Sequence, residues 1–294
     1  MNNIDTDNIL RVTAGNGSIR GFFCKNTTMA QNSFIYHNTV PAASIAMGRS
    51  LAAASMMGIM LKNEKDLVTM RIQGDGPMKG LLVTGESNGN AKGYPYNNDF
   101  KYHLLGNNID VGGAMGYGTM TITKDMGLKK PYAGQIPLIT GEIADDLTYY
   151  FAKSEQTPTT VALSVSINND YSIKSSGGFI LQLLPSAKDD IITKLENKIN
   201  SLEKLSTILD KGTTTEELAK IILGDFNLTI LEKREIHYTC NCSYERTSKA
   251  LISLGKDELE DILNTDGFAN LKCHFCDKSY DFSKDDIRKI IENL

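Results

Sequence analysis

Four of the five cysteines in this 294-residue chain form two short pairs near its end. Cys240 and Cys242 make a CxC pair, and Cys273 and Cys276 make a CxxC pair further along the chain. Each pair can supply two sulfurs to one tetrahedral cation, and zinc is the ion that such thiolate sets bind by default. The spacing therefore predicts a four-thiolate zinc site.

Two histidines could be further metal ligands, and the fifth cysteine could be a reactive thiol. Four thiolates already complete a tetrahedron, so we expect neither His237 nor His274 to bind the metal, and we expect His274 to face solvent. Cys24 ends a strand-like stretch with no cysteine or histidine near it in sequence. We interpret it as an inert core thiol, because free cysteine is among the most buried residue types.

The composition is that of a globular chain long enough for about two domains. Hydrophobic residues make up 41%, charged residues 22%, and the formal net charge is −4. Acidic residues outnumber basic ones within 232–294 as well, which argues against a nucleic-acid partner. No basic start followed by an apolar run is found in residues 1–11, so we expect no signal peptide and no membrane span. Clustered thiols in a chain that is not exported are expected to lie in a reducing compartment, and we therefore expect the protein to be cytoplasmic.

Residues 1–184 predict one α+β domain with a mostly antiparallel sheet and packed helices. The strand patterns cover residues 9–13, 18–24, 67–72, 79–84, 117–124, 159–167 and 178–184, and the helical patterns cover 27–36, 41–62 and 141–154. The helix at 41–62 carries Met47, Met56, Met57 and Met60. This stripe suits either an adaptable client-binding face or tight core packing, and we favour the core.

Residues 185–231 predict a helical linker. Ser186-x-x-Asp189 resembles a capping box that would start a helix ending near Gly212. Its apolar stripe is Ile192, Leu195, Ile199, Leu202 and Leu209. Thr214-x-x-Glu217 predicts a second helix through residue 223, and residues 226–230 predict a strand. A lone amphipathic helix of this length is marginal in water, so the linker should fold only when its stripe packs on a neighbour.

Residues 232–294 predict a small module around the cysteines. The helical patterns cover 243–254 and 257–264, the strand patterns cover 268–272 and 279–282, and Ser283-x-x-Asp286 predicts the cap of a last helix. The module has too few large apolar residues to support a core without a staple, and a bound metal would provide one. Removal of zinc should therefore unfold it.

A four-thiol site of this kind allows three functions. The negative charge disfavours a structural zinc module that reads nucleic acid. A thiol oxidoreductase using Cys273 and Cys276 would place its CxxC at a helix start in a βαβ unit, and that context is lacking. In a redox switch, oxidation of the thiolates would release the metal, and the module would lose the folding free energy that metal binding supplies. The alternatives to the switch are a constitutive structural zinc module and the oxidoreductase. No GxxxxGK[ST] loop is present, so we expect no ATP binding.

With these residues in view, the chain resembles the heat shock protein 33 family of redox-regulated holdase chaperones over essentially its full length. The most specific matches to the family's CxCSxER and CxxC motifs are Cys240-Asn-Cys-Ser-Tyr-Glu-Arg246 and Cys273-His-Phe-Cys276. Supporting matches are Gln73-Gly-Asp-Gly-Pro-Met78, Tyr150-Phe151, Ser154-Glu-Gln156, Pro158-Thr159, Gly177-Gly178, Gln182 and Pro185. Within the first motif we expect Glu245 and Arg246 to orient and pack the start of a helix.

The resemblance implies a chaperone rather than an enzyme. It implies that the four cysteines bind zinc in the reduced, inactive form, and that oxidation forms the disulfides Cys240–Cys242 and Cys273–Cys276 and releases zinc. The linker then unfolds, and the protein, usually a homodimer, binds unfolded or oxidatively damaged proteins without ATP. We expect clients to bind apolar area exposed when the stripe at 192–209 leaves the N-terminal domain, since large exposed apolar patches mark interaction sites.

Overall fold

The computed structural model describes residues 6–106, 108–292 and 294, and it confirms the α+β class. The strands are Asn8–Ala14 (β1), Ile19–Lys25 (β2), Leu67–Gly74 (β3), Gly80–Glu86 (β4), Ala91–Pro95 (β5), Leu104–Leu105 (β6), Asn108–Ile109 (β7), Gly118–Asp125 (β8), Tyr132–Pro137 (β9), Thr159–Ile167 (β10), Ile173–Leu183 (β11), Thr229–Glu235 (β12), Ala269–Lys272 (β13) and Ser279–Phe282 (β14). The helices are Thr27–His37 (α1), Pro41–Gly58 (α2), Val111–Met115 (α3), Ala144–Ser154 (α4), Asp189–Asn200 (α5), Leu205–Asp210 (α6), Thr215–Leu223 (α7), Tyr244–Ile252 (α8), Lys256–Thr265 (α9) and Lys284–Glu292 (α10). The chain divides into two compact units, Met1–Thr239 and Cys240–Leu294.

Two five-stranded antiparallel sheets form the framework of the first unit. Sheet A has the strand order β10-β11-β2-β1-β12, and sheet B has the order β5-β4-β3-β8-β9. The strands β6 and β7 make a separate short hairpin. No helix in the described part of the chain is long and apolar enough to cross a membrane.

The helix α2 lies between the two sheets and packs on strands of both. Every residue of α2 except Arg49 is buried, and Met47, Met56 and Met57 belong to a core cluster that includes side chains from both sheets. The methionine stripe is therefore core, as favoured from the sequence. Cys24 is 0% exposed and belongs to the same cluster, which confirms the buried thiol.

The helix α2 ends at Gly58, one turn earlier than predicted. A Cβ atom at position 58 would lie 2.2 Å from the carbonyl oxygen of Glu86, so the backbone approaches sheet B too closely for another residue type. Beyond this point the chain turns, and the carboxylate of Asp66 accepts the N–H of Asn63 at 3.0 Å. The apolar pattern of residues 59–62 therefore continues in a turn rather than in a helix.

Two further element boundaries differ from the prediction. The strand β11 starts at Ile173 rather than at residue 178, so Gly178 lies inside it, although glycine disfavours strands. Glycine is required at this position because a Cβ atom there would lie 2.2 Å from the carbonyl oxygen of Ala162 on the neighbouring strand. The helix α4 starts at Ala144 rather than 141, because the carboxylate of Asp146 accepts the N–H groups of Ile139 and Ile143 and holds the preceding segment as a loop.

Sheet A is buried on both faces. In β1, Ile9 belongs to the α2 cluster, whereas Leu10 and Val12 belong to a second cluster on the opposite face, as the period of two in a strand requires. The helices α5, α6 and α7 cover that second face. We call its buried set the linker-face cluster: Leu10, Val12, Ala14, Ile19, Phe23, Phe179, Leu181, Leu195, Ile208, Leu209, Leu218, Ala219, Ile222, Leu223 and Phe226.

The long helix predicted in the linker is wrong, because the structure has two shorter helices there, α5 and α6. A continuous helix over residues 189–210 would extend about 33 Å in one direction. The break lets α6 return over β10 and β11. The capping box at Ser186 is also absent: the N-cap is Lys188, with no side-chain hydrogen bond, so Ser186 lies two residues too early.

The strand predicted at the end of the linker begins at Thr229 and not at residue 226. Gly224–Phe226 forms a 3-10 turn with Phe226 buried, and Asn227 reverses the chain with a φ of 55°. The strand β12 then pairs with β1 at the edge of sheet A. Residues 185–239 thus fall within the first compact unit, and the division of the chain at residues 184 and 231 stays a prediction.

The second unit contains α8, α9, α10 and the β13–β14 hairpin. The predicted elements are all present within three residues at each end. Ser283 and Asp286 form the predicted cap: the N–H of Ser283 donates to the Asp286 carboxylate at 2.9 Å, and the N–H of Asp286 donates to the Ser283 hydroxyl at 3.3 Å. The buried hydrophobic side chains are Leu251, Leu259, Tyr280, Phe282 and Ile287.

Candidate metal centre

Cys240 and Cys242 directly precede α8, and the start of that helix fixes their turn. Ser243 is the N-cap, and its hydroxyl accepts the N–H of Arg246 at 3.2 Å. The Arg246 guanidinium donates to the carbonyl oxygen of Asn241, between the two cysteines, at 3.1 Å. A hydrogen bond from Ser243 also holds the pKa of Glu245 below its ordinary value. These contacts agree with orienting roles for Glu245 and Arg246.

Cys273 and Cys276 lie in the turn that joins β13 to β14. The N–H of Cys273 donates to the carbonyl oxygen of Lys278, and the N–H of Asp277 donates to the carbonyl oxygen of Cys273, each at 2.9 Å. Asp277 has a φ of 61°, a conformation that asparagine and aspartate tolerate better than most residues. The tight turn brings both sulfurs to one side of the hairpin.

The four cysteine Sγ atoms all lie within 4.8 Å of one another. Cys240 Sγ is 3.6 Å from Cys273 Sγ, and Cys242 Sγ is 3.4 Å from Cys276 Sγ. A tetrahedral zinc with Zn–S bonds of about 2.3 Å separates its sulfurs by about 3.8 Å. The four cysteines could therefore hold one metal ion, and their sulfurs suit zinc.

The two nearby histidines lie outside this group. His274 is exposed, and the metal-binding group found among the described residues consists of the four cysteines alone. His237 is also exposed, and its Nε2 atom lies 3.7 Å from a carboxylate oxygen of Glu235. That neither histidine binds the metal stays a prediction.

Burial and hydrogen bonding give the cysteines of the cluster different pKa values. Partial burial raises the pKa of Cys240 and of Cys276. Burial acts in the same direction on Cys242, but hydrogen bonds from the Tyr280 hydroxyl and the neighbouring thiols outweigh it and lower the pKa of Cys242 to about 7. One sulfur of the cluster is therefore ready to ionise near neutral pH, as metal binding requires.

Tyr280 contacts the cluster directly, although it lies outside both cysteine motifs of the sequence. Its hydroxyl donates to Cys242 Sγ at 3.0 Å, and this hydrogen bond raises the pKa of the phenol. Tyr280 and Phe282 alternate with exposed residues along β14 and are both buried. The sequence carried one signal for this contact, which is the alternation of polar and aromatic residues in the strand after the CxxC turn. In a strand, every second side chain points to the same face, so the two aromatic side chains face the interior.

The five predicted client-binding residues are distributed unevenly over the linker. Leu195 and Leu209 are buried in the linker-face cluster, and Ile199 and Leu202 pack against it while partly exposed. Leu202 lies between α5 and α6 rather than within a helix. In the first turn of α5, Ile191 is the residue that packs on the cluster, and Ile192 is half-buried beside it. The α7 residues Leu218, Ala219, Ile222 and Leu223, which were not predicted, complete the cover.

Comparisons with known proteins agree with this fold. The 33 kDa chaperonin of Lachnoclostridium phytofermentans is 46% identical over 286 residues, covering 97% of this chain and 98% of its own. The 33 kDa chaperonin of Clostridium perfringens is 42% identical over 290 residues, covering 98% and 92%. The crystal structure of the 33 kDa chaperonin (heat shock protein 33 homolog) from Thermotoga maritima matches with a TM-score of 0.91 at 29% identity, covering 98% of both chains. The family model described as Hsp33 protein matches residues 7–283, and the chain therefore belongs to the Hsp33 family.

Proposed function

We propose that this protein is a redox-regulated, ATP-independent holdase that binds unfolded or oxidatively damaged proteins and prevents their aggregation. The observation that carries the proposal is the convergence of four cysteine sulfurs within 4.8 Å, in a unit with only a small hydrophobic core. Membership of the Hsp33 family, with relatives named 33 kDa chaperonin, supports the chaperone class.

In the reduced and inactive form, Cys240, Cys242, Cys273 and Cys276 would hold one Zn²⁺ as thiolates. Zinc bound in this way contributes on the order of 10–16 kcal/mol of apparent binding free energy, much of it as folding free energy of the unit that binds it. The small core of the second unit makes it dependent on that contribution. A reducing compartment, the cytoplasm, would keep the thiols in this state.

On oxidation, the disulfides Cys240–Cys242 and Cys273–Cys276 would form and release the metal. Within-pair disulfides close only very short loops and leave the two halves of the second unit unlinked, so the unit can unfold. Disulfides across the pairs would each close a loop of more than thirty residues and stabilise the unit by about 3–4 kcal/mol. A switch that works by unfolding therefore needs the within-pair bonds, even though Cys240 Sγ lies 3.6 Å from Cys273 Sγ and Cys242 Sγ lies 3.4 Å from Cys276 Sγ.

Unfolding of the linker would then expose the client surface. Departure of α5, α6 and α7 would uncover the apolar side chains that sheet A presents to the linker-face cluster, such as Leu10, Phe23 and Phe179. The separated stripe of Ile192, Leu195, Ile199, Leu202 and Leu209 would add apolar area to the surface for clients. We propose that the active form is a homodimer, which would double the area offered to one unfolded chain.

The test is to treat the zinc-loaded protein with hydrogen peroxide at raised temperature. We expect release of one zinc, loss of four of the five free thiols with buried Cys24 remaining reduced, and suppression of the aggregation of a denatured client. Peptide mapping should find Cys240 linked to Cys242 and Cys273 linked to Cys276. The matched control is the chain with all four cysteines changed to serine, whose activity should no longer respond to peroxide.

Two alternative functions predict different outcomes in the same experiment. A constitutive structural zinc module would retain its zinc, and its anti-aggregation activity would not change with peroxide. A thiol oxidoreductase would turn over a small disulfide substrate and lose that turnover in the serine variant. Zinc retention with unchanged activity would rule out the proposed switch.

A further inference from the structure

Tyr280 is a buried phenol whose hydroxyl has a sulfur atom as its partner. The side chain is 6% exposed and packs in the small core of the second unit. A buried tyrosine hydroxyl normally finds a hydrogen-bond partner, and here it donates to Cys242 Sγ at 3.0 Å. The phenol therefore connects the hydrophobic core of the unit to one specific ligand atom of the cysteine cluster.

The hydrogen bond to Cys242 differs in kind from those to two other sulfurs. The backbone N–H of Cys242 hydrogen-bonds Cys240, and the backbone N–H of Lys278 hydrogen-bonds Cys276. Those donors belong to the turns themselves and accompany any residue at those positions. The donor to Cys242 is a side-chain hydroxyl, held by the pairing of β14 with β13, where Tyr280 lies opposite Leu271. The hydrogen bond to Cys242 therefore depends on one side-chain oxygen atom, which a single substitution can remove.

We propose that Tyr280 is a positioning residue of the zinc site, whose hydroxyl aims Cys242 Sγ at the metal and withdraws electron density from that sulfur. The inference rests on the zinc binding that is part of the proposed function, and it adds a residue outside the four ligands. Partners of metal ligands orient the ligand and tune its basicity, and their loss typically weakens metal binding about 10- to 100-fold. Hydrogen bonds to metal-bound sulfurs are a known means of tuning such sites.

The same hydrogen bond should slow the oxidation of Cys242. In the first step the thiolate electron pair attacks one oxygen of hydrogen peroxide, the O–O bond breaks, and hydroxide leaves to give a sulfenic acid. The thiolate of the paired cysteine then attacks that sulfur and displaces a second hydroxide. Two thiolates and one peroxide thus give one disulfide and two hydroxide ions. A sulfur that shares its electron pair with the Tyr280 hydroxyl is a weaker nucleophile in the first step.

The test compares Tyr280→Phe with wild type in the full-length chain. We expect the zinc dissociation constant, measured by chelator competition, to rise about 10- to 100-fold. With cobalt(II) in place of zinc, the sulfur-to-metal charge-transfer band should move to longer wavelength, because a sulfur without the hydrogen bond is easier to oxidise. The initial rate of zinc release in peroxide should increase.

The matched control is Tyr244→Phe in the same unit. The Tyr244 ring contacts Phe282 with ring centroids 4.5 Å apart, and its hydroxyl interacts with Asp286 rather than with a sulfur. This variant also removes one tyrosine hydroxyl group, but one that does not contact a sulfur. Its zinc affinity, cobalt spectrum and rate of zinc release should therefore match those of the wild type. Equal values for Tyr280→Phe and wild type in all three measurements would overturn the role of Tyr280.

A second measurement covers the case in which Tyr280→Phe does not fold. In wild-type protein loaded with cadmium-113, a scalar coupling between the metal and the Tyr280 hydroxyl proton would report the hydrogen bond directly, and a bond to a different donor would overturn the proposal. The outcomes separate the two proposals. If wild type fails to bind zinc, the proposed function fails, whereas zinc binding that Tyr280→Phe leaves unchanged contradicts only the role of Tyr280.

Discussion

Two helical layers cover opposite faces of sheet A, and they are attached differently. On one face, α2 lies between sheets A and B and is buried at every position except Arg49. On the other face, α5 has one buried residue, α6 has two and α7 has five, the most buried helix of this layer. The first layer cannot leave without opening both sheets. The second packs on sheet A alone, so we expect that it can leave while the strands of sheet A stay paired.

The polar contacts of the second layer add little to its attachment to sheet A. The carboxylate of Asp210 accepts hydrogen bonds from Lys174 Nζ at 2.8 Å and from the Ser175 hydroxyl at 2.6 Å, and Thr215 donates to Asn8. Exposed ion pairs contribute only about 0–1 kcal/mol each. The linker is thus attached mainly by the apolar contacts of the linker-face cluster. The proposed function would use the first layer as a permanent cover of sheet A and the second layer as a removable cover.

The largest expected effect is a difference in exchange protection between the two layers after oxidation. On loss of zinc we expect backbone amides of α5, α6 and α7 to lose their protection against hydrogen exchange, while those of α2 and β2 keep it. The reason is that, in the proposed switch, the linker stays folded only while zinc supplies folding free energy, on the order of 10–16 kcal/mol, to the unit that follows it. Hydrogen-exchange mass spectrometry of reduced and peroxide-treated protein measures this. Linker amides that stay as protected as in the zinc form would contradict the removable cover.

Paired leucine substitutions should distinguish the two covers under reducing conditions. Leu51→Ala, in α2, and Leu209→Ala, in α6, each remove a buried side chain, and such changes cost about 2–5 kcal/mol. We expect Leu51→Ala to lower the free energy of global unfolding in denaturant titrations. Leu209→Ala should lower the free energy of local linker opening, measured by native-state hydrogen exchange, and should leave the global value nearly unchanged. Equal effects on both quantities would show that the covers unfold as one.

The helix caps of the linker offer a smaller test. Thr214 and Glu217 form a capping box at the start of α7, in which the N–H of Glu217 donates to the Thr214 hydroxyl at 3.2 Å. Thr214→Ala should destabilise linker closure by about 0.5–2 kcal/mol, read from the exchange of α7 amides. Ser186→Ala is the matched control, because the cap predicted there is absent, and it should change closure by less than about 0.5 kcal/mol.

The smallest expected effect concerns pH. Burial opposes ionisation of Asp210, but the hydrogen bonds from Lys174 and Ser175 outweigh it and hold the pKa of Asp210 below its ordinary value. A lowered folded-state pKa means that the stabilisation is present above the unfolded pKa of about 3.9 and is lost as pH falls through the folded value. Asp210→Asn should therefore destabilise linker closure by at most about 1 kcal/mol at pH 7. The difference between variant and wild type should shrink below pH about 4, and a difference independent of pH would contradict the ionised contact.

Much of the fold could be predicted from local patterns. The hairpin of β1 and β2, the strand β10, the capping box at Thr214 and the elements of the second unit depend on neighbouring residues in the chain, and the structure confirms them. The errors occur where distant residues decide: at Gly58, which packs against Glu86, and at the break between α5 and α6, after which α6 packs on β10 and β11. The uninterrupted apolar run Gly21-Phe22-Phe23-Cys24 in β2 was a signal that sheet A is buried on both faces.

The sequence by itself determined the four-cysteine cluster, because two closely spaced thiol pairs leave few arrangements other than one tetrahedral site. It also indicated that the linker folds conditionally, since its amphipathic pattern has one apolar stripe to bury. Only the tertiary structure decided which face of sheet A the linker covers, and that Ile191 rather than Ile192 packs there. Only it placed the Tyr280 hydroxyl on Cys242, because that contact joins a strand to a turn 38 residues away, beyond the reach of any local pattern.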